Sequence, residues 1–103
     1  MPRFDANRVP YSTQDRLFNA FCEVLLRLKT KDEIRDLLKD LLNRQERIML
    51  VRRLQVADLL IREMTYREIQ ERLGVGSATI ARVDRWLHFG RNGYRRALAK
   101  SQR

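Results

Sequence analysis

The sequence predicts an all-α protein of about six helices that contains a helix-turn-helix. Three observations lead there. Strand-like alternation of apolar and polar residues is absent, while apolar residues recur at helical spacing. Four sites carry one helix-start signature, a capping residue with an acid three positions on: Ser12 with Asp15, Thr30 with Glu33, Asn43 with Glu46, and Thr65 with Glu68. Finally, two short helical stretches flank a tight turn at Gly74.

Both prolines, Pro2 and Pro10, lie in the first ten residues, so residues 1–11 read as an extended arm before one helical domain over 12–103. A first helix is expected over about 13–29, with Leu17, Phe21, Val24 and Leu28 on one face. Phe18, Cys22, Leu25 and Leu26 broaden that face, which suits burial on more than one side, for example against a second chain. Cys22 then reads as a small buried apolar group. A second helix over 31–42 carries Ile34, Leu37, Leu38, Leu41 and Leu42. A third, over 44–62, packs through Ile48, Val51, Leu54, Leu60 and Ile61.

The helix-turn-helix is expected at 65–87. Thr65 caps a short helix over 66–73 whose Ile69 and Leu73 face the core. Gly74 suits the left-handed residue that stops a helix, Val75 plugs the turn, and Gly76 adds a second permissive position. Ser77 caps the next helix, with Ile80, Val83 and Leu87 apolar. In such a unit the second helix enters the major groove by its N-terminal end, here Ser77, Ala78 and Thr79. Free amides at that end favour a phosphate. Arg67, Arg72, Arg82 and Arg85 surround it. A glycine turn alone also fits a structural helical hairpin. The joint pattern of turn and arginines is what points to DNA.

Charge supports the same reading. The net charge is +9 over 103 residues, with a sequence pI of about 10.8. Residues 1–50 hold 10 cations against 8 acids, and residues 51–103 hold 12 against 5. Of those 12, 11 are arginine, whose planar fork matches phosphate and guanine edges. The single Cys22 forbids an intrachain disulfide and leaves no zinc pattern. No apolar run approaches the roughly 20 residues of a membrane span, and the start lacks a signal-peptide core, so a cytoplasmic protein is expected. One His, one Cys and no paired carboxylates assemble no catalytic site, and neither an enzyme nor a cofactor is expected.

The string LL-REMT-RE----LG-G-ATI-R, over 59–82, resembles the Trp repressor family. The likeness runs without gaps over 41–87 and more loosely over the first two helices. The PYS start and the RVDRWLHFGRNGYR end look closer still to a Trp-repressor-like branch labelled YerC/YecD. The resemblance implies an intertwined, all-helical homodimer that projects two reading heads toward a palindrome, with half-sites about one DNA turn apart. Arg67 matches an arginine that reads guanine. Gln70 stands where the family has a lysine reaching toward DNA. Ser77, Ala78 and Thr79 match the start of the reading helix, and Ala81 replaces a threonine. These departures argue against recognition of the tryptophan operator.

In the family, an indole lies between two arginines, and both positions are kept here as Arg53 and Arg82. Their neighbours differ. Val83 replaces a glycine, Trp86 a serine, and Asn43 a threonine that faces the ligand across the dimer. Val83 and Trp86 are therefore expected to fill the former pocket, so that DNA reading needs no tryptophan. Two other readings stay open: Trp86 as an ordinary core anchor, or a different small-molecule ligand. After the reading helix, residues 94–100 suit a short helix. Arg91, Arg95, Arg96, Lys100 and Arg103 form a basic strip, and His88 reads as a lone surface histidine. The expected function is a sequence-specific regulator, a repressor, because a repressor needs only to occupy a site and the chain shows no further domain to recruit polymerase. An architectural or replication-linked DNA binder and a protein-interaction module on the same scaffold are the alternatives.

Overall fold

The computed structural model describes residues 5–99. A 3-10 turn at Ala6–Arg8 precedes α1 (Tyr11–Leu25), α2 (Lys31–Leu41), α3 (Arg44–Ile61), α4 (Tyr66–Leu73), α5 (Ser77–Phe89) and α6 (Gly93–Ala99). The described residues include no strand, and the protein is all-α. They form two compact units, one up to Leu41 and one from Leu42 on.

The first unit holds α1 and α2. Pro10, not Ser12, precedes α1: its carbonyl accepts the Gln14 amide at 3.0 Å, while the Gln14 side chain reaches back to the Val9 carbonyl at 2.6 Å. Proline suits this place because its carbonyl can open the helix while it needs no amide partner. Ser12 thus lies inside the helix, and its expected capping box with Asp15 does not form. At the other end, Arg27 and Leu28 bond back only three residues, to Val24 and Leu25, both at 3.1 Å. This tightening ends α1 at Leu25, although apolar spacing continues to Leu28. Thr30 caps α2 as expected, accepting the Glu33 amide at 3.1 Å, but Glu33 returns to the Lys29 amide, at 3.4 Å, not to that of Thr30.

Neither α1 nor α2 has a buried residue. Leu17, Phe18 and Leu26 are more than half exposed, and Phe18 and Phe21 lie with ring centroids 6.0 Å apart. Cys22, expected to be buried, is exposed.

The second unit is built on α3, which packs along α5 and also touches α4 and α6. Asn43 and Glu46 form the full capping box, with both hydrogen bonds at 2.9 Å. The helix stops in a Schellman turn: the Met64 amide bonds the Leu59 carbonyl at 3.0 Å and the Glu63 amide bonds that of Leu60 at 2.9 Å. Glu63 takes the left-handed conformation there, φ 66°.

The core consists of Val56, Ala57 and Leu59 from α3, Ile69 from α4, and Ile80 and Val83 from α5. Leu60, Met64, Leu73, Val75, Tyr94 and Leu98 pack around it. The burden of α3 packing therefore lies further along the helix than its apolar spacing suggested. Ile48, Val51 and Leu54 are exposed.

Candidate nucleic-acid interface

Local chemistry builds the helix-turn-helix. The Thr65 hydroxyl accepts the Glu68 amide at 3.2 Å and donates to the Glu68 carboxylate at 3.0 Å, which opens α4. Gly74, at φ 68°, ends it and donates to the Gln70 carbonyl at 2.8 Å. Such a φ strains any residue with a Cβ. Val75 is half-buried against the core, as expected for a plug. Gly76, not Ser77, takes the cap position of α5, and Ser77 is the first helical residue. Gly76 has an ordinary φ of −74°, so the expected second permissive position is not one. A glycine at the cap has no side chain to occupy the first amides of α5, and they carry the positive end of the helix dipole.

Ser77 and Ala78 are exposed, Thr79 is half-buried, and Ile80 is wholly enclosed beneath them. On α4, Arg67 and Gln70 are exposed while Ile69 between them is buried. Arg67 pairs with its neighbour one turn on, Nε to Glu71 Oε1 at 3.3 Å, and its side chain is 89% exposed, so solvent weakens that pair and leaves the guanidinium available. Arg72, Arg82 and Arg85 are exposed as well.

Three residues tie the unit together in a way that sequence reasoning missed. The Tyr66 hydroxyl donates to Asp84 Oδ2 at 2.7 Å, and His88 Nδ1 lies 3.1 Å from the other carboxylate oxygen and 2.9 Å from the Asp84 carbonyl. His88 is therefore not alone. Asp84 stands one helical turn before it, a spacing visible in the sequence. The pairing with Tyr66 spans 18 residues and left no local signal. The hydrogen bond to Asp84 raises the Tyr66 pKa above its ordinary value, with burial and the carboxylate charge adding to it.

Of the residues assigned to the former ligand pocket, the structure brings three together. Arg53, Arg82 and Val83 line a cleft of about 360 Å³, along with Ile48, Met49, Arg52 and the start of α5. Val83 is almost fully enclosed. Trp86 does not line this cleft. It is 50% exposed and lines a separate depression with Leu54, Gly90 and Tyr94. The expectation that Trp86 fills the pocket within its own chain is thus corrected: one turn beyond Arg82, its indole lies toward α6. Asn43 caps α3 and is also absent from the cleft wall.

The C-terminal helix forms as Gly93–Ala99. Arg91, Arg95 and Arg96 are exposed; Lys100 and Arg103 lie outside the described residues. No group of three metal-ligating side chains occurs among the described residues, and no helix is long and apolar enough to cross a membrane.

A short helix, a left-handed glycine, and a second helix whose exposed N-terminus lies among arginines define a helix-turn-helix protein of the DNA-binding kind. The model of the Trp repressor protein family matches residues 16–102, and the chain belongs to that family. The family is non-enzymatic, and DNA binding and dimerisation are its general properties. The chain is 38% identical over 84 residues to "Uncharacterized protein YerC" of Bacillus subtilis (strain 168), covering 82% of this chain and 77% of that protein. Among solved structures it is similar to a TrpR like protein from Eubacterium eligens ATCC 27750, with a TM-score of 0.73 and 34% identity over 93% of this chain and 95% of that one. A Staphylococcus aureus structure matches with a TM-score of 0.74 and 30% identity, over 97% and 96% of the two chains.

Proposed function

We propose that the protein is a cytoplasmic transcriptional regulator, a repressor, that reads the major groove of double-stranded DNA as an intertwined homodimer. The observation that carries this reading is the start of α5: exposed, without a side-chain cap, with Arg82 beside Ala78 and Thr79 and with Arg67 and Gln70 exposed on the preceding helix. Ser77, Ala78 and Thr79 would meet base edges and phosphates there, and Arg67 would take a guanine. Exposed apolar residues on α1 and the first half of α3, among them Leu17, Phe18, Ile48 and Val51, support a second copy as partner. Repression follows most simply, because a repressor need only occupy its site.

DNA reading is proposed to be independent of tryptophan. Val83 supports this, since a branched side chain stands at the cleft where the family has glycine. One observation favours a second reading. The cleft between Arg53 and Arg82 remains open at a size that suits a small ligand, which supports an effector other than tryptophan.

The test is selection from a random DNA pool by the purified protein without added ligand. A palindrome with half-sites about one DNA turn apart is expected. Enrichment that appears only with a small molecule present would favour the second reading.

A further inference from the structure

We infer that Tyr66 is a positioning residue for DNA reading, whose hydrogen bond to Asp84 fixes the start of α4 against α5 and so sets where Arg67 stands relative to Ser77. The inference rests on the DNA-binding reading above.

Ile69 of α4 shares one core with Ile80 and Val83 of α5, and Leu73 packs against it. Apolar contact holds two helices together but is non-directional, so it leaves the tilt of α4 weakly defined. The Tyr66–Asp84 bond is short, at 2.7 Å, and directional. Tyr66 is the first residue of α4, and Arg67 follows it directly. Asp84 lies in the middle of α5. The bond therefore acts at the end of α4 that carries the base-reading arginine. The acceptor has a neighbour: His88 Nδ1 lies 3.1 Å from Asp84 Oδ1, while Tyr66 uses Oδ2. The same His88 Nδ1 lies 2.9 Å from the Asp84 backbone carbonyl, so the imidazole packs beside the carboxylate on the side away from Tyr66. A bidentate base contact tolerates misplacement of only about half an ångström, whereas phosphate contacts tolerate more. Loosening Tyr66 should thus cost specific binding and spare non-specific binding.

The experiment compares the wild type with Tyr66→Phe, Asp84→Asn and Asp84→Ala. Each is titrated against the duplex that the wild type selects from a random pool and against a scrambled duplex of the same composition. Amide hydrogen exchange over 66–73 is followed in parallel. Tyr66→Phe is expected to weaken binding to the selected duplex about five-fold, the worth of one ordinary hydrogen bond, with no change on the scrambled one. Exchange over 66–73 should quicken. Asp84→Asn, which keeps an oxygen acceptor, should retain more specific binding than Asp84→Ala. Equal binding of the selected duplex by Tyr66→Phe and wild type would overturn the inference, and so would an equal loss on both duplexes, which a purely structural role produces. A wild type that prefers no duplex would overturn the functional reading itself, and this inference with it.

Discussion

Arg53 on α3 and Arg82 on α5 line one cleft, and the enclosed Val83 lines it with them. If Val83 blocks an indole there, L-tryptophan should leave the melting temperature and DNA affinity of the wild type unchanged. Val83→Ala removes two methyl groups from a packed site and should cost about 2 kcal/mol of stability, measured by urea unfolding. Val83→Gly should admit the ligand and show a tryptophan-dependent rise in melting temperature. Such a rise in the wild type would contradict the blocking role.

Arg67→Ala should weaken binding to the preferred duplex by about 1–3 kcal/mol and relax discrimination at one base position. Its ion pair with Glu71 is exposed, so melting temperature should hardly move. Affinity measured on a panel of single-base variants checks this. Uniform weakening across the panel would show that Arg67 meets only phosphate.

Ile69 and Ile80 join the two helices of the reading unit in one core. Either residue changed to Ala should cost about 2–5 kcal/mol. Chemical denaturation gives the value, and the loss should exceed that of any exposed apolar change on α1, such as Leu17→Ala, measured in the same way.

Tyr66 gives a pH signature. Its pKa is raised in the folded protein, first by the hydrogen bond to Asp84, so the bond's contribution is full below the ordinary value of 10.0 and is lost as pH rises through the higher folded value. Tyr66→Phe should therefore destabilise the protein by at most about 1 kcal/mol at neutral pH, since solvent screens the exposed pair. The difference between variant and wild type should shrink on the alkaline side. Melting curves across that range report it.

Gly90 closes α5 by donating to the Trp86 carbonyl at 2.8 Å, and a Cβ at Gly90 would collide with that same carbonyl oxygen. Gly90→Ala should cost about 1–3 kcal/mol, because the chain must shift to relieve that clash. Gly93 meets no such obstacle, and Gly93→Ala should cost much less by the same thermal melt.

The parts legible in the sequence are those set by local chemistry. α4, its Thr65 cap and the Gly74 stop fell where capping and left-handed glycine place them. Asn43 and Glu46 announced the start of α3 equally well. Apolar spacing was a weaker guide to packing. It marks a face as apolar without saying what covers it, so Ile48 and Val51 read as core but stand exposed. Proline chemistry outweighed the Ser12 signature at the start of α1. Trp86 was misplaced for a different reason: its position on α5 was readable, but the direction of its indole depends on the helix that follows. The Tyr66–Asp84 pair depends on how two helices cross, which no spacing rule encodes. Asp84 and His88, one turn apart, did carry a readable signal.

Sequence-specific reading of DNA is the central claim, and a salt titration of ligand-free protein on its selected duplex and on a scrambled duplex tests it most directly. The account predicts a selected duplex bound at least about 10³-fold more tightly at physiological salt. Equal affinity for both, falling together and steeply with salt, would contradict it and identify an architectural binder.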